Sequence, residues 1–170
     1  QMVREIDALG GAMGLVADRA GIQFKVLNKK KGRAVWSPRA QVDKRQYERL
    51  IKRAIEKSKV RVFQGEVVSI VEKSGSVRSV LLRSGERINT NSAIITSGTF
   101  LSGVIHIGER KINAGRMGEE RSEGLTESLG SMGFKSARLK TGTPPRLDKS
   151  SVDWKKTSEA LGDENPVPFS

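Results

Sequence analysis

The sequence predicts an α/β fold, on three observations. Helically spaced apolar residues dominate up to about Lys57. Period-two alternation takes over from Val60, and a short apolar stretch, Ala93-Ile94-Ile95, closes in Thr96-Ser97-Gly98-Thr99. Recurrence near 3.6 residues marks a helix face, and alternation marks a half-buried strand. An apolar run ending in small residues is how a buried parallel strand reads.

Met2, Ile6, Leu9, Met13, Val16 and Ala20 recur at steps of four and three, which predicts a buried helix ended by Gly21. Gly10-Gly11 in its middle costs about 1 kcal/mol per glycine relative to alanine, so a break or a close backbone approach is expected there. Ile22–Leu27 alternates like a short strand, and Asn28–Arg33 is a basic, glycine-containing loop. Asp43 is placed as an N-cap, with Gln46 three residues on and Tyr47, Leu50, Ile51, Ala54 and Ile55 on one apolar face. The opposite face of this second helix carries Lys44, Arg45, Arg49, Lys52, Arg53 and Lys57.

Strands are expected at Val60–Phe63, Val67–Glu72, Val77–Leu82 and near Ile88, with turns at Ser74-Gly75 and Ser84-Gly85. The first of these feeds an antiparallel meander, and Ser92–Thr99 follows as a parallel strand. Ile105–Gly118 reads as irregular, while Leu125, Leu129 and Met132 mark a short helix stopped by Gly133. Thr141-Gly142-Thr143-Pro144-Pro145-Arg146 is a rigid turn and a candidate domain boundary. The order helix, strand, basic helix, strand, meander, strand suits the later part of a dinucleotide-binding α/β domain. No G-x-G-x-x-G follows a strand, and that loop is what admits a pyrophosphate to a helix N-terminus.

The net charge of +12 is concentrated: residues 25–61 hold fourteen basic side chains against Asp43, Glu48 and Glu56. Such a field suits a polyanion such as RNA, and equally a solvated basic surface. With no cysteine there is no disulfide, thiolate metal site or thiol nucleophile, and a reducing, cytoplasmic setting is expected. No stretch reaches the roughly 18 apolar residues of a membrane span, so a soluble chain without membrane contact is expected. Gln1 opening into a helical pattern and Asn165-Pro166-Val167-Pro168-Phe169-Ser170 in a turn-rich stretch suggest an internal piece of a larger protein.

Few residues offer chemistry. His106 is the lone histidine and suits a structural role better than a metal site or a triad, so no metal is expected. Glu5 with Asp7, and Glu119 with Glu120, read as solvated acids. Gly98, after the apolar strand, could bring backbone near a cofactor or simply make a turn. Trp36 and Arg39, beside Pro38, could stack on a ring system or pack at a helix entrance.

Five stretches together resemble one family: Glu5-Ile-Asp-Ala-Leu-Gly-Gly11; Ala20-Gly-Ile-Gln-Phe24; Gly32-Arg-Ala-Val-Trp-Ser-Pro-Arg-Ala-Gln41 with Asp43; Thr99-Phe-Leu-Ser-Gly103 with His106-Ile-Gly108; and Arg138-Leu-Lys-Thr-Gly-Thr-Pro-Pro-Arg146. The sequence is similar throughout to the MnmG (GidA) family of tRNA uridine-modifying flavoproteins. The related folate- and FAD-dependent tRNA uridine methyltransferases share part of the pattern, and a freestanding basic RNA-binding module is a further alternative.

The resemblance implies part of a Rossmann-like FAD/NAD(P)-binding domain with an antiparallel β-meander, lacking its first βαβ glycine loop, plus the start of an inserted domain. Residues 1–143 would be the middle and later part of the FAD-binding domain, and residues 144–170 a linker and the beginning of the second domain. It implies an enzyme that, with an MnmE-family GTPase, builds a carboxymethylaminomethyl or aminomethyl group on C5 of the wobble uridine of tRNA. FAD, NADH and methylene-tetrahydrofolate are the implied cofactors, and a homodimer the implied assembly. The family's cysteine nucleophiles fall outside these residues, so the catalytic groups are unassigned and the chain alone is expected to be inactive. Val67 and Ser122 fall where the family contacts FAD, while Gly98 and Arg39 follow more loosely from flavoprotein architecture. The tRNA contacts expected from the charge pattern are Lys44, Arg45, Arg49, Lys52 and Arg53.

Overall fold

The computed structural model describes residues 1–170, which form two compact units: Gln1–Arg61 with Pro145–Ser170, and Val62–Pro144. Pro145–Ser170 packs with the N-terminal residues in the first unit.

In the first unit the long apolar pattern is broken into α1 (Met2–Ala8) and α2 (Ala12–Arg19). Both consequences anticipated for Gly10-Gly11 occur. Gly10 adopts φ +84, which ends α1, and a Cβ on Gly11 would collide with Ile6. Only the end of the pattern is buried: Val16 and Ala20 are 4% and 2% exposed, whereas Met2 and Leu9 lie open at 76% and 89%. The expectation of one buried helix is corrected accordingly. β1 (Gly21–Leu27) pairs antiparallel with β2 (Ser37–Val42), a strand the sequence pattern did not reveal. Pro38 within β2 hides it from pattern reading, since proline is tolerated only on an edge, and this sheet has two strands.

α3 (Lys44–Glu56) begins where expected, its N-cap Asp43 carboxylate accepting the Gln46 backbone N–H at 2.9 Å. The start of α3 is tied to the end of α2: Gln46 Nε2 donates to the Arg19 carbonyl at 3.0 Å and the Asp43 N–H to the Ala20 carbonyl at 2.8 Å. Tyr47, Leu50 and Ile51 are half-buried, while Ala54 and Ile55 are exposed. Two carboxylates fasten the tail to this unit. Asp163 accepts from the Val26 N–H and from Lys29 Nζ, both at 2.8 Å, and Asp18 accepts the N–H groups of Phe169 and Ser170.

The second unit is built on a meander, β3 (Val67–Lys73), β4 (Ser76–Leu82) and β5 (Arg87–Asn89), in that spatial order. Ser74 and Gly75, both at positive φ, make the first turn where expected. Ser79 and Leu82 are buried in this sheet. β6 (Ile105–Ile107) and β7 (Arg110–Ile112) form a small hairpin within the stretch expected to be irregular. α4 (Leu125–Ser131) packs on β3, with Ser128 Oγ accepting the Ile70 N–H at 3.1 Å, and Gly133 at φ +91 follows its end.

Two expected strands are absent. Val60–Phe63 and Ala93–Thr96 are unpaired, and Val62, Phe63 and Ile94 are 77%, 55% and 91% exposed. A parallel strand exists only through hydrogen bonds to a neighbour, and no segment of this chain provides one. The α/β character is thus present as mixed helices and antiparallel sheets. No helix is long and apolar enough to cross a membrane.

Candidate functional site

The residues expected to meet a cofactor fall in both units, and three of them, Val67, Gly98 and Ser122, lie in the second. Val67 opens β3 and is half-buried. Ser122 forms a parallel bridge with Leu101: its N–H donates to the Phe100 carbonyl at 3.0 Å and its carbonyl accepts the Ser102 N–H at 2.8 Å. Both backbone groups of Ser122 are committed, which leaves its half-buried hydroxyl as the group able to meet a ligand.

A carboxylate that sequence reading overlooked joins these two positions. Glu66 precedes Val67 and accepts a two-pronged bond from Arg83, the Nη2 arm at 2.8 Å, and also accepts the Glu123 backbone N–H at 3.1 Å. Glu123 follows Ser122, so one side chain fixes Val67 and Ser122 relative to each other. The Arg83 hydrogen bond holds the Glu66 carboxyl below its ordinary range, the Glu123 N–H adds to this, and desolvation opposes it. Opposite charges facing each other across the open end of a hairpin centred on Ser74-Gly75 were the available signal. The loop also approaches closely: a Cβ on Gly124 would come within 3.0 Å of the Val68 carbonyl.

Gly98 has φ +58 and open space where a Cβ would lie. It sits in a turn closed by the Phe100 N–H on the Ser97 carbonyl at 3.2 Å. Arg39 lies in the first unit, on β2 opposite Lys25, with its guanidinium exposed. His106 is exposed on β6 opposite Lys111.

As chemistry, the donors of the second unit fit parts of a flavin dinucleotide: Val67 offers apolar surface and backbone, Ser122 a neutral hydroxyl and Gly98 approachable backbone. Arg39, in the first unit, offers by itself a cation suited to a phosphate.

The expected polyanion surface is the outer face of α3. Lys44, Arg45, Arg49, Lys52 and Arg53 are all exposed, and a shallow open depression runs between Arg45, Glu48, Arg49, Lys52, Arg53 and Glu56. Spacing of three and four residues keeps these cations on one side of the helix. Lys52 Nζ pairs with Glu48 at 2.7 Å, and that hydrogen bond pushes the Lys52 ammonium above its ordinary range. The five cations are exposed and accessible to phosphate.

Comparison with known proteins supplies context for both surfaces. The family model described as Glucose inhibited division protein A matches residues 1–170. The chain is 51% identical over 172 residues to the tRNA uridine 5-carboxymethylaminomethyl modification enzyme MnmG of Chlorobaculum tepidum, covering 100% of this chain and 28% of that protein. It is 48% identical to the protein of the same name from Aquifex aeolicus over 170 residues, covering 99% of this chain and 28% of that one. A solved structure of Aquifex aeolicus GidA superposes with a TM-score of 0.88 over 99% of this chain and 28% of the other, at 48% identity. The chain thus spans a little over a quarter of the length of these relatives.

Proposed function

This chain belongs to the Glucose inhibited division protein A family, and from that premise we propose that it supplies flavin-contacting and tRNA-contacting parts of an FAD-dependent tRNA-modifying enzyme. The reaction is the addition of a carboxymethylaminomethyl or aminomethyl group to C5 of the wobble uridine. The observation that carries this reading is the close identity, along the whole chain, to enzymes bearing that name.

When bound, the flavin supplies hydride transfer to or from the one-carbon unit. Val67, Gly98 and Ser122 would hold it, Val67 by apolar surface, Gly98 by open backbone and Ser122 by its hydroxyl, and Arg39 of the first unit would offer a cation to a phosphate. The outer face of α3 holds the tRNA backbone by charge. No residue here is assigned as nucleophile, since the chain contains no thiol to add to a uracil ring. NADH, methylene-tetrahydrofolate, a GTPase partner of the MnmE family, a homodimeric state and a cytoplasmic setting complete the proposal.

The tRNA contact is tested by binding to tRNA across a range of salt concentrations, before and after changing Lys44, Arg45, Arg49, Lys52 and Arg53 together to Gln. Weaker binding with a shallower salt dependence is expected. Unchanged affinity and slope would remove α3 from the interface.

A further inference from the structure

The loop joining β1 to β2 has a structure that charge alone does not require. Residues 28–36 carry Lys29, Lys30, Lys31 and Arg33 with no acidic residue among them, and all are exposed. Three bonds among several close the loop on itself. The Lys31 N–H donates to the Asn28 carbonyl at 2.8 Å, Asn28 Nδ2 donates to the Val35 carbonyl at 3.3 Å, and Trp36 Nε1 donates to the Lys29 carbonyl at 3.2 Å. Asn28 at φ 61 and Gly32 at φ 95 supply the left-handed backbone that this closure needs.

The third bond fixes the tryptophan. Trp36 points its only polar atom inward to the loop, lies beneath the Arg33 guanidinium at 5.8 Å from the ring centroid, and remains 38% exposed. A large indole with its N–H satisfied gains nothing further from water, so its open surface is suited to another flat, weakly polar surface. Lys29 is neutralised by Asp163 at 2.8 Å, whereas Lys30, Lys31 and Arg33 belong to no ion pair. An immobilised aromatic ring flanked by uncompensated cations is the combination by which unpaired nucleotides are held: the ring stacks on a base and the cations meet the adjoining phosphates.

We propose that the Asn28–Trp36 loop is a stacking platform for an unpaired stretch of RNA, with Trp36 taking a base and Lys30, Lys31 and Arg33 the flanking phosphates. The proposal rests on the reading that this chain contacts tRNA, and it adds to the α3 face a second contact of different kind. α3 offers charge alone and is indifferent to base pairing, whereas the loop discriminates single strands from duplex. Because the loop is held by its own bonds before binding, little ordering entropy is lost on contact.

The test compares fluorescence anisotropy of a labelled single-stranded RNA of mixed sequence with that of a duplex of equal length, at several salt concentrations. It uses the whole chain, the α3 variant with its five cations changed to Gln, and three loop variants: Trp36→Ala, Trp36→Phe, and Lys30, Lys31 and Arg33 together changed to Gln. Circular dichroism confirms that each is folded. Trp36→Ala is expected to weaken single-strand binding about ten-fold while leaving duplex binding and the salt slope unchanged, because a neutral ring releases no counterions. Trp36→Phe, which keeps a ring, should retain most of the affinity, and the triple Gln variant should lower the slope.

Equal single-strand affinity for Trp36→Ala and the unmodified chain, equal losses on single strand and duplex, or Trp36→Phe as weak as Trp36→Ala would each overturn the platform. If the unmodified chain binds both RNAs and only the α3 variant is impaired, the platform fails while the tRNA reading stands. An unmodified chain that binds neither RNA overturns both.

Discussion

At the open end of the β3–β4 hairpin, Glu66 converts one carboxylate into a three-way joint between β3, β4 and the segment leading to α4. Its partners are Arg83 and the Glu123 N–H. With the folded pKa lowered relative to the unfolded chain, the joint stabilises the fold above the ordinary glutamate range, near pH 4.3. That contribution is lost as pH falls through the lower folded value. Glu66→Gln is therefore expected to cost about 1 kcal/mol at neutral pH, a modest figure because Arg83 is largely exposed. The difference from the unmodified chain should close as the pH drops below about 4. Urea unfolding of both proteins at a series of pH values checks this, and an equal or pH-independent difference would show that the carboxylate charge is not what holds the joint.

Among elements, α3 shows what a sequence states openly. Its cap, Asp43 with Gln46, and its basic face are local features that reappear in the structure, whereas of its expected apolar positions Tyr47, Leu50 and Ile51 are half-buried and Ala54 and Ile55 exposed. The meander was legible for the same reason, because Ser74-Gly75 and Ser84-Gly85 mark turns between alternating strands. Its register was less so: Glu72 pairs with Val77 across the turn, the ladder then slips by one residue at Val71 opposite Ser79, and it recovers at Val67 opposite Leu82. Each slip inserts one extra residue into one strand of the pair, which alternation in the sequence does not mark. β2 escaped notice because Pro38 argues against a strand, and Glu66 because its value as a joint exists only once β4 and Glu123 are brought to it. For α3 itself, replacing its five outward cations by Gln should lower the salt slope of tRNA binding by roughly 0.7–0.9 for each phosphate that is no longer neutralised. Helicity should be unaffected, since Gln is as good a helix former as Lys or Arg.

For the whole molecule, two features bear on the proposed flavin contacts. Val60–Phe63 and Ala93–Thr96 expose apolar side chains on unpaired backbone, and no G-x-G-x-x-G loop is present to receive a pyrophosphate. On the proposed reading Val67 and Ser122 offer few contacts by themselves, so the chain alone is expected to purify colourless and to show no stoichiometric complex in an FAD titration. A yellow, one-to-one complex would mean that these residues form a far more complete flavin site than their geometry suggests.

The family's sequence pattern was visible in five stretches, whereas the two-unit packing, with Pro145–Ser170 folded back on Gln1–Arg61 through Asp18 and Asp163, was not. Those clasps link residues more than 130 positions apart and leave no local trace.

The most direct measurement of the central claim is to put this chain in place of the matching segment of the Aquifex aeolicus relative and analyse tRNA nucleosides by mass spectrometry after reaction. The account predicts C5-carboxymethylaminomethyl or aminomethyl uridine at the wobble position. A folded, flavin-loaded chimera that leaves this uridine unmodified, while the parent enzyme modifies it under the same conditions, would contradict it.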